Sequence, residues 1–171
     1  YMTINLKNFL NTKPKISKMG EFQELKPIDG LEISSYSADL YKNGRDDIAL
    51  FYFKEGANYA ALYTTNSITS QTIEWNKKSN KSFTKGLLVN TKNANTFTGD
   101  NGLESIDVLA KNLSRILTIR ESKSDEGVSE TVKIKDLLFA STGVIGEKFP
   151  TEKIISSLQS LVDKLRDDHN K

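Results

Sequence analysis

The chain is 171 residues long, 37% hydrophobic and 27% charged, with a formal net charge of +2. This length and composition fit one globular domain or one large part of a two-domain protein. The small net charge argues against binding to nucleic acid or to a membrane surface. Because there is no cysteine, disulfides, thiolate metal sites and thiol nucleophiles are excluded. The single histidine, His169, lies near the polar carboxyl end, where we expect a solvated side chain rather than a catalytic base.

Residues 1–22 are polar and lysine-rich, with Pro14 and Gly20 as breakers, and predict an N-terminal arm. The first residues lack the charged and then apolar layout of a signal peptide. No apolar stretch reaches the roughly 20 residues that cross a bilayer. We therefore expect a soluble, cytoplasmic protein with one folded domain over residues 23–171.

The first half of this domain predicts mainly β-structure. Residues 48–53 form a continuous apolar run bounded by turn residues, which is typical of a buried strand. Residues 54–58 predict a hairpin turn into a further strand. The predicted strands are, in chain order, 31–36, 48–53, 59–64 and 86–90.

The second half predicts two amphipathic helices. In the first, apolar residues recur every three or four positions from Leu103 to Leu117. The second begins after Pro150, with Thr151 as its N-cap. Between them, residues 120–131 predict a surface loop and residues 136–140 a buried strand. The expected fold class is α/β, or α+β with mixed sheets and amphipathic helices packed on them.

The segment Ser141-Thr142-Gly143-Val144-Ile145-Gly146 directly follows the last predicted strand. A glycine at this point lets the backbone turn sharply and lets another group come close. The Thr142 hydroxyl and the Gly143 N–H then provide two donors, as the developing oxyanion of an acyl transfer requires. Phosphate binding would use the same geometry. The alternative is a purely structural connection in which serine and threonine cap backbone groups.

Two further segments, 63–66 and 90–99, are rich in small polar residues. For Asn90, Asn93 and Asn95 we expect side-chain hydrogen bonds to the backbone that hold the loop, with substrate contact as the alternative. No Gly-x-Ser-x-Gly motif, P-loop or dinucleotide fingerprint occurs. An acyl-transfer site in this chain would therefore lack its nucleophile.

Four motifs in this order resemble the N-terminal α portion of the ornithine acetyltransferase family, also called glutamate N-acetyltransferases. The motifs are Gly44-Arg45-x-Asp47-Ile48-Ala49-Leu50, Thr64-Thr65-Asn66, Asn90-x-x-Asn93-Ala94-Asn95-x-x-Thr98-Gly99 and Ser141-Thr142-Gly143-Val144-Ile145-Gly146. The resemblance implies an oxyanion hole made by the Thr142 hydroxyl and the Gly143 N–H. It also implies a precursor that cleaves itself, a partner β chain that begins with the nucleophilic threonine, and an α2β2 heterotetramer.

The resemblance further implies acetyl transfer from N2-acetylornithine to glutamate through an acetyl-threonine intermediate, in arginine biosynthesis. It implies no metal and no bound cofactor, with acetyl-CoA as an additional acetyl donor in some members. Lys92 and Phe97 stand where the family has glycine and a small residue or cysteine, so we expect a disturbed turn at Lys92. These departures leave open a catalytically silent binding or regulatory relative. A second alternative is an amidase or aminopeptidase that also cleaves itself and uses an N-terminal nucleophile.

Overall fold

The computed structural model describes residues 27–124 and 131–167, which form one four-stranded sheet with helices packed on it. The strands follow the order β1-β2-β3-β4; the first three are antiparallel and β4 runs parallel to β3. The predicted mixed α/β class is confirmed. The predicted arm and His169 lie outside the described residues. The elements are β1 (Leu31–Tyr36), β2 (Ile48–Asn58), α1 (Gln71–Lys78), β3 (Phe83–Asn90), α2 (Gly99–Ser124), a 3-10 turn (Ile134–Asp136), β4 (Leu137–Ser141) and α3 (Thr151–Asp163).

The core lies between one face of the sheet and helices α2 and α3. Alternate residues of β2, such as Leu50 and Tyr52, are fully buried there, as are Leu113 of α2 and Leu158 of α3. The helices form because their apolar residues recur with helical spacing, and burying that stripe stabilises them. None of the described helices is long and apolar enough to span a membrane.

Helix α1 was not expected from the sequence, because only Thr72 of its residues is buried and no apolar stripe marks it. The Ser70 side chain caps it by accepting a hydrogen bond from the Thr72 N–H at 3.2 Å. Asn76 then accepts a hydrogen bond from the Phe139 N–H at 3.0 Å and donates one to the Phe139 carbonyl at 2.9 Å. The helix thereby closes the outer edge of β4, which would otherwise present unpaired backbone groups.

The predicted hairpin at residues 54–58 and the strand at 59–64 are wrong. Strand β2 instead continues to Asn58 through a bulge, after which Ala57 pairs with Thr84. Gly56 lies in this bulge with φ +76°, where a Cβ atom would lie 2.1 Å from the Phe83 ring. The glycine therefore marks a bulge within a strand rather than the end of one.

Two further expectations need correction. Helix α2 extends to Ser124, so the predicted loop at 120–131 begins later, and residues 125–130 lie outside the described part. Helix α3 begins at Thr151 with Pro150 in the cap position, and no side chain caps it. Thr151 is instead the first helical residue. The predicted strands at 31–36, 48–53, 86–90 and 136–140 and both predicted helices are confirmed within a few residues.

Candidate functional site

The loops that follow β3 and β4 meet at the carboxyl end of these two parallel strands. The Thr142 N–H donates to the Asn90 carbonyl at 3.1 Å, and the Val144 N–H donates to the Lys92 carbonyl at 2.9 Å. The Ala94 N–H returns a bond of 2.9 Å to the Val144 carbonyl. These bonds continue the parallel pairing beyond the last residues of the strands, so each loop fixes the other.

Gly143 is the point of closest approach between the two loops. Its φ is +136°, and a Cβ atom there would lie 2.2 Å from the carbonyl carbon of Lys92 and 2.6 Å from the Asn93 nitrogen. The predicted close approach at this glycine is confirmed. The disturbance expected at Lys92 is wrong, because this residue itself adopts φ +74° and keeps the turn. A lysine in this left-handed region costs roughly 1 kcal/mol relative to glycine.

Thr142, whose hydroxyl is one predicted donor, and Gly143, whose N–H is the other, are consecutive residues of an exposed turn. Within residues 27–124 and 131–167, neither group takes part in a hydrogen bond, although the Thr142 N–H does. Their neighbours in the chain are occupied in holding the turn. Both predicted donors are therefore free to meet a ligand.

Two buried asparagines, Asn90 and Asn93, hold the turn from the side of the loop after β3. Asn90 accepts a hydrogen bond from the Ser141 hydroxyl at 2.6 Å and donates to the Asn93 carbonyl at 2.9 Å. Asn93 donates to the carbonyls of Glu147 and Lys148 at 3.1 and 3.2 Å. The prediction that these side chains bind the backbone is confirmed. Since their amides are occupied, substrate contact is not their role here.

Asn95 ties the loop after β3 to the first turn of α2. It is fully buried, donates to the Gly102 carbonyl at 3.1 Å and accepts from the Thr98 hydroxyl at 2.7 Å. A Cβ atom at Gly102 would lie 2.5 Å from the Asn95 side-chain oxygen. Asn95 and Phe97 have φ values of +49° and +57°, so this loop is wound tightly without glycine at either position.

Two cations lie at this end of the sheet, Arg45 in the loop between β1 and β2 and Lys92 in the loop after β3. The Arg45 guanidinium lies 3.7 Å from the centre of the Tyr41 ring, and the Lys92 ammonium lies 5.8 Å from it. In the described part of the chain neither cation has an ion-pair partner. Their charges therefore favour an anion, or a developing negative charge, near this end of the sheet.

The sequence analysis assigned no role to Asp47, which fixes the loop between β1 and β2. The carboxylate is buried and accepts hydrogen bonds of 2.7 Å from the N–H groups of both Ala38 and Leu40. Its own carbonyl accepts from the Thr91 N–H at 2.9 Å. The available signal was an aspartate directly before a buried strand, a place where a carboxylate must find partners or remain unsatisfied.

The polar segment at 63–66 takes no part in the turn. Thr64 and Asn66 are exposed, and among the described residues their side chains accept only local hydrogen bonds, from the N–H groups of Asn66 and Ile68. The chain reaches the loop after β3 beyond this segment, where Ser70 bridges to Thr96. Polar composition alone therefore identified one segment too many.

Fold and site together define a mixed α/β domain that presents two free hydrogen-bond donors where parallel strands end. A family model described as the ArgJ family matches residues 32–171. The arginine biosynthesis bifunctional protein ArgJ of Pseudomonas fluorescens is 30% identical over 151 residues, which cover 88% of this chain and 34% of that protein. The Gluconobacter oxydans protein of the same name is 32% identical over 79% of this chain and 29% of its own length.

Solved structures share the fold. Ornithine acetyltransferase from Mycobacterium tuberculosis, crystallised with ornithine, superposes with a TM-score of 0.73 at 19% identity, over 84% of this chain and 72% of that one. An ArgJ protein from Bacillus halodurans gives a TM-score of 0.65 at 21% identity, over 77% and 62% of the respective chains. The chain belongs to the ArgJ family. It spans about a third of the length of the curated relatives that it matches.

Proposed function

We propose that this chain is the oxyanion-hole portion of an acetyltransferase of arginine biosynthesis, which moves acetyl from N2-acetylornithine to glutamate. The observation that carries the proposal is a pair of donors, the Thr142 hydroxyl and the Gly143 N–H, which have no hydrogen-bond partner among the described residues. They lie on a turn that is held by bonds of the Ser141 hydroxyl, the Thr142 N–H and the Val144 backbone. Membership of the ArgJ family supports acetyl transfer as the reaction class and arginine biosynthesis as the pathway, since the curated relatives are arginine biosynthesis proteins.

The proposed chemistry follows from what acyl transfer demands. When a nucleophile attacks the acetyl carbonyl, its oxygen gains negative charge, and two fixed donors stabilise that charge more than they stabilise the neutral carbonyl. The turn is braced by Asn90 and Asn93, so the donors need little reorganisation during the reaction. Arg45 and Lys92 add positive potential near the site, which suits substrates that carry carboxylates.

We take the nucleophile to come from elsewhere, because the sequence has no cysteine and no Gly-x-Ser-x-Gly motif. We propose the N-terminal threonine of a partner β chain, whose own amine accepts the hydroxyl proton as the threonine oxygen bonds to the acetyl carbon. The bond between the acetyl carbon and N2 of acetylornithine then breaks, and the proton passes to the departing ornithine amine, which leaves an acetyl ester on the threonine. The amine of glutamate attacks this ester, the ester C–O bond breaks, and the proton that the glutamate amine loses restores the threonine hydroxyl. The lengths of the relatives support a divided protein. The chain covers 62% of the crystallised Bacillus halodurans chain but only 34% of the curated Pseudomonas protein, so the solved chain is much shorter.

An α2β2 assembly, acetyl-CoA as an additional acetyl donor and the absence of a bound metal or cofactor belong to the same proposal. The cytoplasmic location stays a prediction. The departures at Lys92 and Phe97 are the reason to consider a silent relative, and the turn preserved at Lys92 removes part of that reason. An amidase would use the same donors with water as acceptor, and dependence of acetyl release on glutamate separates it from a transferase.

The test uses this chain and its complementary chain, by which we mean the family's threonine-starting β chain encoded in the same genome. We expect no transfer from this chain alone, and glutamate-dependent transfer from N2-acetylornithine when the two are combined. Mass spectrometry should show an acetyl group on the first threonine of the complementary chain. Transfer by this chain alone, or a genome without such a chain, would contradict the proposal.

A further inference from the structure

Two adjoining cavities lie at the amino ends of β3 and β4, away from the turn at Thr142 and Gly143. The first, here called the apolar cavity, lies between α1, α2 and the 3-10 turn and has a volume of about 760 Å³. The second, here called the lysine cavity, lies beside the first residues of β3 and measures about 640 Å³. Lys78, Ser79 and Lys135 line both cavities. Each volume is in the range that holds a small organic ligand.

The apolar cavity offers an aromatic ring and aliphatic walls. The apolar residues that line it are Trp75, Leu103, Val108 and Ile134. The Trp75 indole N–H donates to the Leu137 carbonyl at 3.1 Å, which fixes the ring beside β4. Glu104 and Asp107 of α2 also line this cavity. Because their carboxylates repel an anion, the apolar cavity suits the uncharged part of a ligand.

The lysine cavity carries an excess of positive charge. Its lysines are Lys78, Lys85, Lys133 and Lys135, and of the described residues that line it only Asp136 has a carboxylate. Across residues 27–124 and 131–167, Lys78, Lys133 and Lys135 form no ion pair. Lys85 is 4% exposed and its ammonium donates to the Lys54 carbonyl at 2.5 Å, so it adds a fixed positive charge. A bound anion would offset this charge.

Backbone hydrogen bonds hold the lysines shared by the two cavities in place. The Ser79 N–H donates to the Trp75 carbonyl at 3.1 Å, and the Asn80 N–H donates to the Lys135 carbonyl at 2.9 Å. The end of α1, which carries Lys78, is thereby fixed to the 3-10 turn, which carries Lys135. A preformed arrangement of this kind loses less entropy when a ligand binds.

From these features we infer a second ligand site, in which the lysine cavity holds the phosphates of a nucleoside polyphosphate and the apolar cavity holds its base. Lysine ammonium groups bind phosphates as point charges, and several of them match a multiply charged anion. Trp75 and the aliphatic walls suit a flat aromatic base. Concave cavities in a chain with a net charge of only +2 favour a small ligand over a nucleic-acid strand.

This site is separate from the candidate oxyanion hole. The five residues of β4 lie between the 3-10 turn and Thr142, a span of about 17 Å for an extended strand. The inference therefore does not depend on the proposed function. Thr142→Ala should bind the nucleotide with the affinity of wild type, whatever its effect on turnover.

The experiment uses the fluorescence of Trp75, which is the only tryptophan in the sequence. ATP is titrated into the full 171-residue chain, and calorimetry measures the affinity of ATP, tripolyphosphate and adenosine. We expect a saturable change in Trp75 emission with ATP. Tripolyphosphate and adenosine each fill one cavity only, so each should bind at least about tenfold more weakly than ATP.

Substitutions assign the two halves of the ligand to the two cavities. Lys78→Gln and Lys135→Gln should each weaken ATP binding at least about tenfold, the scale for loss of a charge-assisted hydrogen bond. The control is Lys42→Gln, which removes an exposed lysine in the loop at the other end of the sheet and should bind ATP within about twofold of wild type. Leu103→Ala should weaken ATP binding at least about threefold and leave tripolyphosphate binding unchanged. Circular dichroism checks that each variant is folded.

Several results would overturn the inference. They are the absence of saturable ATP binding at millimolar concentration, equal weakening by Lys42→Gln, and binding of tripolyphosphate as tight as that of ATP. The first would remove the site, the second would reduce it to general charge attraction, and the third would leave the apolar cavity without a role. Tighter binding of a single-stranded oligonucleotide than of ATP would replace the small ligand by a nucleic acid.

Discussion

The polar side chains at one end of the sheet are paired with each other, whereas at the other end two hydrogen-bond donors are unpaired among the described residues. At the end where β1 begins, the buried Glu32 carboxylate lies 2.6 Å from one Arg120 nitrogen and accepts a hydrogen bond of 3.0 Å from the other. Lys54 lies 3.2 Å from the same carboxylate, and the Tyr52 hydroxyl donates to Glu121. At the other end, the Thr142 hydroxyl and its neighbouring backbone N–H have no partner among the described residues.

At the charged end, the directions of the pKa shifts follow from burial and from the pairing of Glu32 and Tyr52. Burial raises the pKa of the Glu32 carboxyl, but the hydrogen bonds and charges of Arg120 and Lys54 outweigh it, so the pKa lies below its ordinary value. Burial raises the pKa of the Tyr52 hydroxyl, and its bond to Glu121 raises it further. A polar cluster paired internally contributes to stability, whereas donors left unpaired at an exposed, braced turn are available for chemistry.

The sharpest test of this contrast is Thr142→Ala in the two-chain enzyme. We expect turnover to fall about 10²–10³-fold, the scale for loss of one oxyanion donor. The free energy of unfolding should change by less than about 0.5 kcal/mol, because the hydroxyl is exposed and makes no described bond. Thr142→Ser keeps the hydroxyl and should retain most activity. Steady-state kinetics and chemical denaturation measure the two quantities, and loss of stability with normal turnover would reverse the roles of the two ends.

Glu32→Gln should have the opposite profile. Removing the charge leaves Arg120 half-paired, and we expect a loss of about 3 kcal/mol in the free energy of unfolding. This is the lower end for a buried pair, because the Arg120 side chain is 31% exposed. Asp107→Asn is the control: in its pair with Lys111 the two side chains are 42% and 61% exposed, so the pair should contribute under about 0.5 kcal/mol. Urea denaturation measures the free energy of unfolding of both variants. Equal losses would show that burial of the Glu32 pair does not increase its contribution to stability.

Gly143→Ala tests the close approach of the two loops. The added Cβ would lie 2.2 Å from the Lys92 carbonyl carbon, so the loops must separate, and we expect destabilisation by about 2–3 kcal/mol. Gly146→Ala also places alanine at positive φ, but nothing lies within 4 Å of its Cβ. That control should cost only about 1 kcal/mol. Thermal unfolding compares the two, and equal costs would attribute the effect to φ alone.

Asn93→Ala removes a side chain that fixes the turn from behind. It leaves the carbonyls of Glu147 and Lys148 without these donors, and we expect a loss of about 2 kcal/mol. Asn112→Ala also removes a bond to a backbone carbonyl, that of Val108, but at an exposed position, so it should cost under about 0.5 kcal/mol. Hydrogen exchange at the Ala94 and Val144 amides, which pair the loops, should rise only in the first variant.

The smallest expected effect is the pH dependence of the charged end. The pKa of Glu32 is lowered in the folded state from an ordinary value of 4.5, so its stabilisation is present above pH 4.5 and is lost as the pH falls through the folded value. Unfolding free energy measured from pH 7 downwards should therefore fall more steeply for wild type than for Glu32→Gln. Parallel curves would remove Glu32 from the acid response of this protein.

Much of the fold could be predicted because local pattern and burial agree. The apolar run at 48–53 and the helical spacing from Leu103 to Leu117 each identify an element that the structure contains. Helix α1 escaped prediction because it is held by its Asn76 contacts to the edge of β4 rather than by an apolar stripe. The hairpin turn predicted around Gly56 is wrong because a bulge and a hairpin turn both use glycine at positive φ. Only the residues that pair across the strands distinguish the two.

The sequence by itself determined the family, the order of most elements and the identity of Thr142 and Gly143, because these depend on residue types at fixed spacing. Only the tertiary structure decided which polar groups are occupied. Asn90 and Asn93 turn inward to the backbone, Lys92 keeps the turn without glycine, and the Thr142 hydroxyl is left free. The reason is physical: hydrogen-bond satisfaction is a property of neighbours in space, and those neighbours lie about fifty residues apart along the chain.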